Sequence, residues 1–152
     1  AKQKLKFYYG DLTERQFRNI FKKASNIKGD TSQILIELLE RRLDATVYRM
    51  KFVPTIFSAR QLVNHGHVKV NGKRVNIPSY SVSDGDEISI RDKSKEINLI
   101  VESVSSQERE IPEYLEVDVK ELKGRFLRAP LIHDVPYPVT MEPNLVIEYY
   151  SR

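Results

Sequence analysis

The sequence predicts an α+β protein: a small helical part over residues 1–40, then an α+β domain over residues 41–152 whose sheet is mostly antiparallel. Apolar residues recur at helical spacing over roughly the first 65 positions and alternate with polar residues from Val68 onward. Asn71-Gly72 then separates two alternating runs, which is the pattern of a two-residue β-hairpin. The change of period places helices first and a sheet afterwards.

Two amphipathic helices are predicted in the first part. Thr13 with Gln16 three residues later has the spacing of a capping box and starts the first of them. One apolar stripe follows at i, i+3, i+4, i+7 and i+10, namely Phe17, Ile20, Phe21, Ala24 and Ile27. Asp30 is placed to cap the second helix, whose apolar positions run from Ile34 to Leu43.

Two shorter helices are predicted before the hairpin. The apolar pattern changes phase around Glu40–Arg42, and a new stripe from Leu43 to Met50 ends before Pro54. Thr55 begins the next helix, and Gly66 is placed to terminate it.

The rest of the chain is predicted to be largely strands. The Asp84-Gly85 turn leads into a strand with Ile88 and Ile90 facing inward, and a helix is expected around residues 97–104. Three further strands are expected, at Tyr114–Asp118, Gly124–Arg128 and Leu145–Tyr150, the last after a proline-rich connection.

Charge is divided unequally along the chain. Residues 1–80 contain 16 Lys and Arg against 6 Asp and Glu, whereas residues 81–152 contain 9 against 15. A half with a net charge of +10 favours a polyanionic partner over a merely solvated surface. The acidic half is expected to be solvated or to face a protein neighbour.

The hairpin provides the sharpest physical argument for a polyanion. A turn at Asn71-Gly72 sets Lys69 opposite Arg74 on the outer face and Val68 opposite Val75 on the inner face. Directly opposed like charges cost a few tenths of a kcal/mol, and a phosphate bound between them reverses the sign of that term. The alternative is that both side chains extend separately into water. Tyrosines near basic residues (Tyr8, Tyr9, Tyr48 and Tyr80) are weaker candidates, for base stacking, because aromatic residues at such spacing more often belong to the core.

The patterns of catalytic and metal sites are missing. The sequence has no cysteine, no glycine-rich phosphate loop and no GxSxG or HExxH motif. His65 and His67 lack a convincing third metal ligand, and no apolar run approaches the length of a membrane span. We therefore expect neither an enzyme nor a cofactor.

Several stretches resemble one known family. Residues 40–50 (ERRLDATVYRM) and 59–80 (ARQLVNHGHVKVNGKRVNIPSY) closely resemble the bacterial-type small-subunit ribosomal protein four family. Four further segments are similar to the same family: residues 2–10 and 15–17 near the start of the chain, and residues 123–128 and 144–152 near its end. The resemblance thus runs nearly end to end, and it implies a helix–helix–hairpin RNA-binding module at about residues 41–90.

The resemblance implies a structural protein of the cytoplasmic ribosome that binds the 5′ domain of small-subunit ribosomal RNA and helps to nucleate subunit assembly. It further implies an effect on decoding accuracy through contact with neighbouring ribosomal proteins. In some bacteria it also implies that the protein represses translation of its own messenger RNA. The residues implied to contact ribosomal RNA are Lys2, Lys4, Lys6, Arg15, Arg18, Lys22, Arg41, Arg42, Arg49, Arg60, Gln61, His65, His67, Lys69, Asn71, Lys73 and Arg74.

Three departures from the family pattern matter. Family members usually carry a further basic segment upstream, sometimes with a cysteine zinc site, which is absent from this sequence. Ile56-Phe57 stand where many relatives have a basic residue, and Lys51 stands where Gly is common. The family's module also occurs in RNA-modifying enzymes and in a stress protein that binds ribosomal RNA. An enzyme would need a catalytic domain for which 152 residues leave no room, and residues 1–40 argue against the stress protein.

Overall fold

The computed structural model describes residues 1–106 and 108–151, and the chain divides into two compact units. The first unit contains Ala1–Glu40 and the segment from Pro130 onward, and the second is Arg41–Ala129. The break after residue 40 coincides with the phase change in the helical pattern. The segment from Pro130 onward, expected in the α+β domain, clusters instead with the helical part because its helix packs there.

The elements are named in chain order. The helices are α1 (Lys2–Tyr8), α2 (Glu14–Ser25), α3 (Thr31–Glu40), α4 (Leu43–Arg49), α5 (Ile56–Asn64), α6 (Asn98–Ser105) and α7 (Pro143–Tyr150). The strands are β1 (Val68–Val70), β2 (Lys73–Arg74), β3 (Glu87–Ile90), β4 (Leu115–Asp118) and β5 (Lys123–Phe126). None of the helices in the described part of the chain has the length and hydropathy that crossing a membrane requires.

The first unit is helical, as predicted. Thr13 Oγ1 accepts a hydrogen bond from the Gln16 amide at 3.1 Å, and Gln16 Oε1 accepts one from the Thr13 amide at 2.9 Å, so the predicted capping box starts α2. Phe17 and Ala24 are buried, whereas Ile27 lies beyond the end of α2 and is 43% exposed. Its predicted inward position is wrong because α2 ends two residues before it, at Ser25.

The predicted strand at Leu145–Tyr150 is wrong. These residues form α7, which begins with Pro143 at a first-turn position where a missing N–H costs nothing. Val146 is buried, and the Tyr150 ring stacks on Phe21 with centroids 4.5 Å apart. The β-branched and aromatic residues of this segment favoured a strand locally, but packing against α1 and α3 selected a helix.

The second unit places α4 and α5 before a sheet. Thr55 and Ser58 cap α5 reciprocally, and Gly66 follows the helix end with φ of +79°. Lys51, at the position where the resembling family commonly has Gly, also has a positive φ, of +68°. A non-glycine residue is strained in this conformation. The Lys51 ammonium also donates a hydrogen bond to the Ser106 carbonyl.

The sheet has five strands within the described residues, all antiparallel, in the order β2-β1-β3-β5-β4. The hairpin has the predicted register, with Lys69 opposite Arg74 and Val70 opposite Lys73. Asn71 and Gly72 both have positive φ, 50° and 81°, as the two-residue turn requires. A Cβ on Gly124 would lie 2.8 Å from Met50 Sδ, so this strand glycine permits a close approach to the inner face.

Candidate nucleic-acid interface

The outer face of the sheet carries a transverse row of polar side chains. Pairing aligns Arg74 with Lys69, Lys69 with Ser89, and Ser89 with Lys123. Partners in register point to the same face, so Lys69 and Lys123 stand about 10 Å apart across the intervening strand. We call Arg74, Lys69, Ser89 and Lys123 the hairpin row. It ends at Asp118 on the far strand, so its positive charge is concentrated at the hairpin side.

The next row of the same face is not basic. Arg125 is paired with Glu87 and with Glu116 in register, and its guanidinium lies 3.5 Å from the Glu87 carboxylate. Asn71 donates to Asp86 and accepts from the Glu87 amide, both at 2.9 Å. Asn71 therefore holds the hairpin turn against β3. The favourable region for a polyanion is the hairpin row and not the whole sheet.

Arg74 is oriented by a backbone group. Its Nε donates to the Gly66 carbonyl at 3.0 Å, and Nη2 also lies close to Gly66, so the guanidinium rests against the turn after α5. Lys73 is also exposed but pairs with the inward-facing Val70, which places it on the other face of the hairpin.

His67 lies half-buried between cations. Its Nδ1 is 2.6 Å from Ser94 Oγ. Burial lowers the pKa of His67, and the positive charges of Arg91, His65 and Arg74 lower it further. A neutral imidazole at neutral pH therefore serves as a hydrogen-bonding group and not as a cation. His65 is exposed at the end of α5, with its ring centroid 6.3 Å from that of His67.

The outward face of α5 is only partly available. Gln61 and Asn64 are exposed, whereas the Arg60 side chain is 28% exposed and donates from Nε to Asp44 at 3.3 Å. Phe57 presents an exposed ring 6.0 Å from the Arg60 guanidinium, at the position where the resembling family often has a basic residue.

Three arginines of the α4 region interact within the unit. Arg42 donates from Nε and Nη2 to the buried Asp44 carboxylate, each at 3.1 Å. Arg41 donates to the Val82 carbonyl and to Asp84, and its guanidinium lies 4.7 Å above the Phe126 ring. Arg49 is buried, with its guanidinium 5.5 Å from the Tyr48 ring centroid. These guanidinium groups stabilise the fold, and little of their surface faces solvent.

In the first unit, two of the N-terminal lysines converge on one acid. The ammonium groups of Lys2 and Lys6 each lie 3.1 Å from the Glu14 carboxylate, which also accepts from Tyr150 Oη at 2.9 Å. Hydrogen bonds from Lys2, then Tyr150 and Lys6, lower the pKa of Glu14 to about 2. Burial lowers the pKa of Lys2, but its bonds to Glu14 and Tyr149 outweigh that effect and raise it. Lys4 remains exposed.

The α2 cations form the second basic surface. Arg15, Arg18 and Lys22 are exposed at i, i+3 and i+7, and they have no ion pair with any described residue. We call them the α2 ladder. Tyr9, by contrast, is buried and bonded to Glu40 at 2.5 Å, so it is unavailable for base stacking.

Two basic residues near the hairpin row were missed in the sequence. Lys123 reaches the row only through the pairing of β5 with β3, and it lies in the acidic half of the chain. Arg91 follows β3 and donates its backbone N–H to the His67 carbonyl, which brings its charge beside the hairpin. The alternation in β3 was visible, but the order of strands in the sheet was not.

The second unit contains a helix–helix–hairpin with a cationic row on one face. These features define a protein of the class that recognises nucleic acid. The comparisons agree with that class. Residues 41–88 match the family model of the S4 domain, and residues 1–40 match that of the ribosomal protein S4/S9 N-terminal domain.

Curated relatives match over the whole chain. The chain is 64% identical to the small ribosomal subunit protein uS4 of Ruegeria sp. (strain TM1040), 63% to that of Ruegeria pomeroyi and 62% to that of Paracoccus denitrificans. Each match covers 100% of this chain and 74% of the relative. The chain belongs to the uS4 family of small ribosomal subunit proteins.

Proposed function

We propose that this chain is a structural, non-enzymatic component of the small ribosomal subunit that binds ribosomal RNA through the hairpin row and the α2 ladder. The hairpin row carries the proposal, because it gathers Arg74, Lys69 and Lys123 on one exposed face. Cations of this kind neutralise phosphates and release counterions, which makes the affinity strongly dependent on salt.

The predicted contacts now separate into three groups. Lys4, Lys73, Arg74 and the α2 ladder are exposed, whereas Lys69 is half-buried, and all of them are proposed to contact RNA. Arg41, Arg42, Arg49, Lys2, Lys6 and Asn71 have partners in their own unit or are buried, and we propose that they support the fold. We propose secondary contacts for Arg60 and Gln61 of α5 and for His65 and His67, which lie between α5 and β1.

Finer aspects of the function rest on the family resemblance. We propose that the RNA partner is the 5′ domain of the small-subunit RNA and that binding helps to nucleate assembly. A contribution to decoding accuracy through neighbouring ribosomal proteins, and binding to the protein's own messenger RNA, belong to the same proposal. We propose that the protein acts as part of the ribosome.

The test is the salt dependence of binding to naked RNA. With a transcript of the 5′ domain, contact of about six of the exposed cations with phosphates lowers the affinity about a thousandfold between 50 and 200 mM salt. Lys69→Ala is expected to lower the magnitude of the log–log slope by about one. Lys95→Ala is the matched control, because Lys95 is paired with Asp92 at 3.1 Å and should leave the slope unchanged.

Two outcomes would refute the proposal. A nearly flat salt response of the wild-type protein would exclude phosphate neutralisation as the basis of binding. Turnover of a uridine-containing RNA by the isolated chain would place it among RNA-modifying enzymes. Footprinting should also protect one junction of the 5′ domain, and it should weaken in the Lys69→Ala variant.

A further inference from the structure

A polar cup lies between the end of α5 and the second strand of the hairpin. It has a volume of about 310 Å³ and is lined by Asn64, His65, Gly66, Arg74 and Asn76. That volume is at the lower end of the range of small-ligand sites, roughly 300–1,000 Å³. Arg74 belongs both to the cup and to the hairpin row. A ligand in the cup therefore lies beside the RNA that binds the row.

The two asparagine side chains identify the chemistry of the cup. Both are exposed, and neither has a hydrogen-bond partner among residues 1–106 and 108–151. A carboxamide presents two N–H donors and one carbonyl acceptor. A phosphate only accepts, so it would use the N–H donors and leave the two carbonyl oxygens without a partner. The edge of a nucleobase presents donors and acceptors together, and it is the better complement.

Arg74 and His65 supply the rest of a nucleotide site. Arg74 lines the cup with its Nε held by the Gly66 carbonyl at 3.0 Å, and a guanidinium in this place can donate to a phosphate. His65 lines the cup with an exposed ring, and aromatic side chains of this kind stack on bases that have left a helical stack. A base within a duplex has its pairing edge occupied and cannot fill the cup.

We propose that the cup holds one unstacked nucleotide of the bound RNA, with its phosphate on Arg74 and its base edge on Asn64 and Asn76. The proposal rests on the RNA-binding function proposed above. It adds recognition of a base to a surface whose other groups act on phosphates, and it makes Asn64 and Asn76 specificity-determining residues.

The test compares the Asn64→Ala/Asn76→Ala double variant with Asn98→Ala, which alters an exposed asparagine of α6 in the same unit. Binding to the 5′-domain transcript is measured from 50 to 200 mM salt, together with base-specific chemical probing of the complex. The double variant is expected to bind roughly tenfold more weakly at every salt concentration, with the wild-type slope. One unpaired nucleotide should become reactive, and Asn98→Ala should match wild type.

The outcomes distinguish the two proposals. Wild-type affinity and unchanged base reactivity in the double variant would refute the nucleotide site, while a reduced slope in Lys69→Ala would leave RNA binding intact. A double variant that changes the slope would also refute it, because the cup would then hold only a phosphate. Absence of binding by the wild-type chain would overturn the RNA-binding function itself. Circular dichroism of each variant checks that the fold is retained.

Discussion

Replacing Gly66 by alanine tests how the turn after α5 orients Arg74. Gly66 has φ of +79°, and a Cβ added to it would overlap Arg74 Nη2 and lie 3.3 Å from Arg74 Cζ. The guanidinium is the far end of a flexible side chain, so it is expected to move. Its hydrogen bond to the Gly66 carbonyl is then lost.

The magnitude has two parts. An L residue in this left-handed conformation costs about 1–2 kcal/mol, which lowers Tm by roughly 2–8 °C for a chain of this size. Loss of the charge-assisted contact of Arg74 with RNA costs about 1.5 kcal/mol of binding, or roughly tenfold in Kd. The log–log salt slope should fall by about one phosphate contact.

Gly72→Ala provides a matched control. Gly72 has φ of +81°, so its substitution carries a similar backbone cost, but a Cβ there has nothing within 4 Å. Thermal unfolding followed by circular dichroism should show similar losses of Tm in both variants. Binding of each variant to the 5′-domain transcript between 50 and 200 mM salt should be weakened in Gly66→Ala alone.

An equal loss of RNA affinity in the two variants would refute the reasoning, because the effect would then follow from hairpin stability and not from the position of Arg74. A Gly66→Ala variant with wild-type affinity and slope would show that the guanidinium need not rest against Gly66 to bind RNA.

Two further predictions concern the acids that hold cations inside each unit. Asp44→Asn removes the charge that compensates the buried Arg42, so Tm should fall by roughly 10 °C in a thermal melt. The control Asp92→Asn, which alters an exposed ion pair, should leave Tm nearly unchanged. Glu14 has its pKa lowered in the fold from 4.5 to about 2, so its ion pairs stabilise the protein above about pH 4.5 and are lost as the pH falls towards 2. The Tm difference between wild type and Glu14→Gln should therefore shrink over that interval, and a constant difference would contradict the assignment.

Local elements were largely predictable from the residues. The Thr13–Gln16 capping box and the Asn71-Gly72 turn were predicted and are present, since both depend on groups within a few residues. The register of the hairpin followed from the turn, and it placed Lys69 opposite Arg74. The segment Leu145–Tyr150 was predicted wrongly because its local preference for strand yielded to packing against α1 and α3.

The site was predictable as a set of cations but not as a surface. The charge of residues 1–80 indicated a polyanion partner, yet it did not show which cations have partners in the fold. Arg42 is held by Asp44, and Arg41 by Asp84 more than forty positions away. Lys123 joins the hairpin row from the acidic half only because β5 pairs with β3.

The amino-acid sequence by itself determined helices α2 to α6, the hairpin and its register, and the excess of positive charge, because each depends on short-range geometry or on composition. The tertiary structure decided which cations remain exposed, and it brought Asn64, Arg74 and Asn76 around one cup. The exposure of the cations depends on strand order and on distant ion pairs, and the cup depends on how the end of α5 lies against the second strand of the hairpin.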